Sequence, residues 1–140
     1  MKKKYVIIPF MMSVMVMGCI DQESRQLEGV KWKLDSYINV SGTLVDLVPD
    51  SEITAIFQDG RVTGNAGCNS YFGEYELEDS TLSMGAIGMT EMYCAAPGIM
   101  EQEYAYLSAL ALVSSYEIRG NTVEMKNADG EPVLIFIAGS

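Results

Sequence analysis

Two-residue turn signals limit what this chain can fold into. Asp59-Gly60, Gly120-Asn121 and Asp129-Gly130 each stand beside short apolar stretches. Both central residues of a type I′ turn need positive φ, which Gly, Asn and Asp tolerate, so such a pair between alternating stretches specifies a tight antiparallel hairpin. Residues 53–57 and 62–66 flank the first pair, residues 114–119 and 122–126 flank the second, and the third leads into residues 133–138. Residues 32–40 and 71–77 alternate in the same way, and Glu78-Asp79-Ser80 turns the latter back into residues 81–84. Short strands repeating every 8 to 12 residues or so predict a sandwich or barrel.

One stretch breaks the pattern. Residues 97–113 have no glycine after Gly98 and are rich in Glu, Ala, Leu and Met. Pro97 suits a first helical turn, and Glu101 and Glu103 stand where the helix dipole favours anions. Met100, Tyr104, Leu107 and Ala111 follow the i, i+4, i+7, i+11 spacing of one helical face, which Leu110 widens. This predicts an amphipathic helix packed against the strands through that face, with its Met and Tyr residues in the core.

The N-terminus reads as a targeting segment. Lys2-Lys3-Lys4 precedes an apolar run over residues 5–17, too short to span a bilayer, which needs about 20 residues. The run ends in Val16-Met17-Gly18-Cys19, which resembles the lipobox of bacterial-type lipoproteins, with Val and Met where Leu and a small residue are usual. The expected organisation is a signal peptide over 1–18, a polar tether over 19–27 that starts at a lipidated Cys19, and one domain over 28–140. The domain would then be exported, held to a membrane by its lipid and exposed on the extracytoplasmic side of the cell envelope. Without residues 1–18 the chain keeps six basic residues against 19 acidic ones, a net charge of −13. Such a surface repels nucleic acid and anionic lipid.

The chain has no histidine. Ser-His-Asp and Cys-His catalysis are therefore excluded, as is the commonest transition-metal ligand. Cys68 and Cys94 remain in the exported domain, and an even pair there reads as a disulfide before it reads as a nucleophile. Glu74, Glu76 and Glu78 stand at strand spacing, the mark of a solvated face or at most a weak calcium site. No metal or cofactor is expected.

The densest pattern is Gly64-Asn65-Ala66-Gly67-Cys68-Asn69-Ser70-Tyr71-Phe72-Gly73-Glu74-Tyr75. Gly64 and Gly67 permit a bulge or tight bend, and Asn65 and Asn69 can adopt positive φ or tie their side chains to nearby backbone. Tyr71, Gly73 and Tyr75 share one face, where a glycine lets an aromatic ring lie over the backbone. This reads as a structural corner; the alternative is a binding lip made by Asn69, Tyr71 and Tyr75.

This run closely resembles the signature of META-domain proteins, the HslJ-like heat-shock lipoprotein family. Trp32-Lys33-Leu34, Asp59-Gly60-Arg61, the segment Gly88-Met89-Thr90-Glu91-Met92-Tyr93-Cys94 and the helix from Met100 follow in the family's order. Glu91 departs from it, since relatives often carry a basic residue there. The resemblance implies a small, mainly β (α+β) fold, an antiparallel cracked barrel or curved sheet with one helix, in which Thr90 and Met92 join the corner residues as the motif. It implies an association with stress and drug tolerance at the envelope and carries no catalytic residue over. The expected function is non-enzymatic: a monomeric lipid-anchored protein that binds an envelope protein or a small ligand. The alternative is an exported hydrolase or thiol enzyme using Cys68.

Overall fold

The computed structural model describes residues 26–139, so residues 1–18, Cys19 and most of the tether lie outside the described residues. Nine strands and one long helix follow in the order β1 (Lys31–Ile38), β2 (Leu44–Asp46), β3 (Thr54–Gln58), β4 (Arg61–Asn65), β5 (Ser70–Glu78), β6 (Thr81–Met89), α1 (Ile99–Ala111), β7 (Ser115–Arg119), β8 (Thr122–Lys126) and β9 (Pro132–Ala138).

The hairpin signals hold, with one change. Asp59 and Gly60 have φ of 51° and 78°, as a type I′ turn requires, and Gln58 pairs with Arg61 across them. Gly120 closes β7 onto β8 with φ 59°. Asp129-Gly130 belongs to a longer turn than the expected two-residue one. Asn127 Oδ1 accepts hydrogen bonds from the N–H groups of Asp129 and Glu131 at 3.0 Å each, and this side-chain staple stabilises the wider loop.

Every strand pairing is antiparallel, and the sheet bends into a ring. One edge of β1 pairs with β3 and then β2, and its other edge pairs with β9. β2, at three residues, is too short to have stood out in the sequence. The expected strand over 81–84 runs on to Met89, because Gly85 and Gly88 lie within a strand rather than ending it.

The ring has a seam. β6 meets β7 only at Thr81↔Ser115, with Leu82 N–H bonded to Ser114 O and Tyr116 N–H to Ser80 O. Beyond Leu82 the two strands part, because β7 begins where β6 has barely started. The connection between them is α1, which packs on β6 from one side of the seam and on β1 and β9 from the other. Tyr106 reaches the ring's centre, edge-on to Tyr71 at 5.6 Å and to Phe136 at 6.3 Å between centroids. Trp32, Phe57, Leu82, Leu110, Met125 and Leu134 complete the core around them.

The helix presents a face other than the expected one. Ile99, Gln102, Glu103, Ala105, Tyr106, Ala109 and Leu110 are buried. Of the predicted apolar stripe, Tyr104 is 69% exposed, Ala111 is exposed, and Met100 and Leu107 are half-buried. Leu110 alone lies in the core as expected. Glu103 does stand near the helix N-terminus, and it is also a buried hydrogen-bond acceptor, which the sequence did not show.

Candidate functional site

The glycine-rich corner links β4 to β5 and is built around Asn69, which is 1% exposed. Its Oδ1 accepts from Met92 N–H at 2.6 Å and from the Thr90 hydroxyl at 2.9 Å, while its Nδ2 donates to Met92 O at 3.1 Å. Thr90 Oγ1 in turn accepts from Ser70 N–H at 3.2 Å. One side chain therefore holds the segment that leaves β6. Glu103 completes the cluster from α1. Its Oε2 accepts from Cys68 N–H at 2.9 Å and Asn69 N–H at 2.7 Å, and its Oε1 accepts from Asn69 Nδ2 at 2.6 Å. Two main-chain donors that a tight corner would leave unpaired are satisfied by a carboxyl group 34 and 35 residues away.

A disulfide closes the same corner. Cys68 and Cys94 are bonded, with Cα atoms 5.9 Å apart. The corner, the 90–94 segment and α1 thus form one cross-linked unit.

The remaining motif residues shape the bend. Gly67 has φ 115°, and Asn65 Oδ1 accepts its N–H at 2.8 Å. Neither Asn65 nor Asn69 adopts positive φ; both act through their side chains. Gly64 is required for a different reason: a Cβ there would stand 1.9 Å from Thr54 O and 3.0 Å from the Tyr71 ring. Tyr71, Gly73 and Tyr75 do share the inward face. The atoms nearest a Cβ on Gly73, however, belong to Ala86, Ile87 and Val62. The glycines that lie under aromatic rings are Gly64, under Tyr71, and Gly88, under Phe72.

Asn69, Tyr71 and Tyr75 are all buried, so they do not form a lip at the surface. Tyr71 Oη donates to Thr54 O at 2.7 Å and lies 2.6 Å from Tyr106 Oη. Burial pushes both phenols well above the ordinary tyrosine range. Tyr75 Oη donates to Glu28 at 2.8 Å, and burial, reinforced by the Glu28 carboxyl, raises it as well. Glu74, Glu76 and Glu78 line the outer, exposed face of β5, and Glu91 is exposed in the loop. Among the described residues no three His, Cys, Asp or Glu side chains converge as metal ligands.

Beside this unit lies an opening that the sequence pattern did not locate. A groove of about 600 Å³ runs between α1 and the second half of β6. Met100, Tyr104, Leu107 and Ala111 form its helical wall; Ala86, Ile87 and Met89 form the strand wall. Glu103 lines it too, so the groove borders the buried cluster. The helical wall is the stripe that hydrophobic spacing had assigned to the core.

The family model of the META domain matches residues 25–139. No curated protein matches the sequence. Among solved structures, the chain is similar to a protein from Burkholderia xenovorans determined by NMR, at 25% identity and TM-score 0.68, covering 99% of this chain and 95% of that one. A second NMR structure is 22% identical, with TM-score 0.59 and coverage of 81% and 92%. A DUF4847 family protein from Bacteroides vulgatus, known from its crystal structure, is 14% identical, with TM-score 0.57 and coverage of 83% and 96%. The last two likenesses concern the fold alone.

Proposed function

Because this chain belongs to the META domain family, we propose that it is a non-enzymatic binding protein of the cell envelope, anchored by a lipid on Cys19 and serving stress or drug tolerance. One observation carries the binding half of this reading. The motif's polar and sulfur groups are engaged within the fold, Cys68 with Cys94 and Asn69 with Met92, Thr90 and Glu103, while an apolar groove beside them stays open. The thiol-enzyme alternative needs Cys68 as a free nucleophile, so its bond to Cys94 supports the non-enzymatic reading.

The anchoring half rests on the Lys-rich start, the short apolar run and Gly18-Cys19. Fractionation tests it. The wild-type protein is expected in the membrane fraction, and Cys19→Ser is expected to be released. A variant that stays in the membrane with residues 1–18 uncleaved would show that the apolar run itself is the anchor. Deleting the protein should lower survival after heat or a membrane-active drug, with rescue by the wild type and not by Cys19→Ser. Unchanged survival under both stresses would remove the stress role.

A further inference from the structure

We propose that the groove between β6 and α1 takes an extended strand of another polypeptide, apolar at alternate positions and neutral or basic in charge, which adds to the open edge of β6. The proposal rests on the binding-protein reading above and specifies what binds.

The open edge follows from hydrogen-bond alternation. Leu82 N–H bonds across the seam to Ser114, so even positions at the start of β6 face β7. The register then shifts: Tyr75 pairs with Met84 but Gly73 pairs with Ile87, which puts one extra β6 residue in a bulge. Past the bulge, Thr90 N–H bonds back to Ser70 on β5. By alternation, the main-chain groups of Ile87 and Met89 face away from β5. β7 has already diverged there, and α1 stands opposite with the groove between them.

Such an edge beside an apolar helical wall suits strand addition. A new strand would pair with the main chain of Ile87 and Met89, and its alternate side chains would meet Met100, Tyr104, Leu107 and Ala111. An acyl chain or other apolar small molecule would cover the same main-chain groups without bonding them, and a dried, unpaired donor or acceptor opposes binding. Charge argues against a second copy of this chain, which carries a formal net charge of −10. Glu74 and Glu76 lie near Gly85, where the groove begins, and favour a basic flank on the incoming strand.

The test uses the full chain and a labelled peptide of alternating Val and Thr with Lys at both ends. Binding is followed by fluorescence anisotropy, and amide exchange is followed by NMR. The expected result is saturable binding that slows exchange at Ile87 and Met89. The same peptide N-methylated at alternate residues should bind at least about tenfold more weakly, because it cannot form the ladder. Tyr104→Gln/Ala111→Gln, which alters only exposed positions, should weaken binding by a similar factor without lowering the thermal midpoint.

Equal binding of the N-methylated peptide, or protection elsewhere than Ile87 and Met89, would overturn strand addition. So would binding of dodecanoate in the groove with no binding of the peptide, which would leave the binding-protein reading standing. Self-association abolished by the double variant would assign the face to a second copy and likewise overturn the proposal. Because every readout is made on purified protein, the outcome is independent of whether Cys19 anchors the chain.

Discussion

The two sides of α1 are built on opposite terms. The side turned into the ring carries Gln102 and Glu103 among its buried residues, and the side turned to the β6 edge carries Met100, Tyr104 and Leu107. A surface helix ordinarily buries its apolar stripe and solvates its polar one. Here the buried polar groups have fixed partners: Glu103 holds the corner, and Gln102 accepts from Val48 N–H at 2.6 Å and donates to Ser51 at 3.0 Å. A helix can bury polar residues where they satisfy main-chain groups of neighbouring loops, and its apolar stripe is then available for another use. The inner side should therefore be sensitive to substitution in stability, and the outer side should be nearly silent.

The largest effect is expected at Glu103. Glu103→Leu would leave Cys68 N–H and Asn69 N–H buried without an acceptor. Each such loss costs about 1–3 kcal/mol, so the variant should lose about 2–6 kcal/mol. Urea unfolding measures this as a lower midpoint at unchanged slope. A loss under about 1 kcal/mol would mean that the corner finds other acceptors, and the contrast between the two sides would weaken.

The disulfide should follow closely. In the chain-entropy view, cross-linking residues 26 apart contributes about 3–4 kcal/mol. Cys68→Ser/Cys94→Ser should show that loss under non-reducing conditions, and reductant should bring the wild type down to the same level. Alkylation of two thiols in unreduced, denatured protein would show that the bond is absent and return Cys68 to contention as a nucleophile.

The strands could be read from the sequence because their information is local. Asp59-Gly60 requires a turn whatever surrounds it, and the alternation of Tyr71 and Tyr75 with Glu74 and Glu76 sets the inward face of β5. The corner was legible as a corner, since Gly64, Gly67 and the two asparagines suit little else. Its closure was not: the acceptor for Cys68 and Asn69 comes from Glu103, and nothing near Glu103 in the chain distinguishes it from Glu101. The helical face was misassigned for the same reason. Periodicity finds an apolar stripe, but only the tertiary arrangement decides whether it meets the core. Tyr106 offered a faint signal, as an aromatic residue with small neighbours, Ala105 beside it and Ala109 about one turn on, that let it approach a sheet closely. β6 was cut short because Gly85 and Gly88 look like breakers. Gly88 lies under the Phe72 ring, where a side chain would collide with it.

An intermediate effect is expected at Gly64, behind the corner. Its φ is ordinary, so the demand is steric rather than conformational. Gly64→Ala would drive a methyl group into Thr54 O, which is backbone and cannot rotate away. The strands must part locally, at about 1–3 kcal/mol, the usual range for overpacking. The Tyr71 hydroxyl bond to the same carbonyl should weaken with it, and the Tyr71 ring resonances should shift by NMR. A neutral Gly64→Ala would show that β3 and β4 can slide there without loss.

The smallest effect on stability is expected on the outer side of α1, and the contrast depends on it most. Tyr104 and Ala111 are exposed and make no hydrogen bond through their side chains among the described residues. Glutamine is a better helix former than tyrosine and slightly worse than alanine, so Tyr104→Gln/Ala111→Gln should change propensity by a few tenths of a kcal/mol in opposite directions. The expected net change is under about 0.5 kcal/mol, within the range of ordinary surface substitutions. Thermal and urea unfolding should overlay those of the wild type. A loss above about 2 kcal/mol would mean that the stripe stabilises the fold after all, packing as its periodicity first suggested, and that the groove is closed in solution. Overlaid unfolding curves would leave a helix that holds the corner with its polar residues and keeps its apolar ones for a partner.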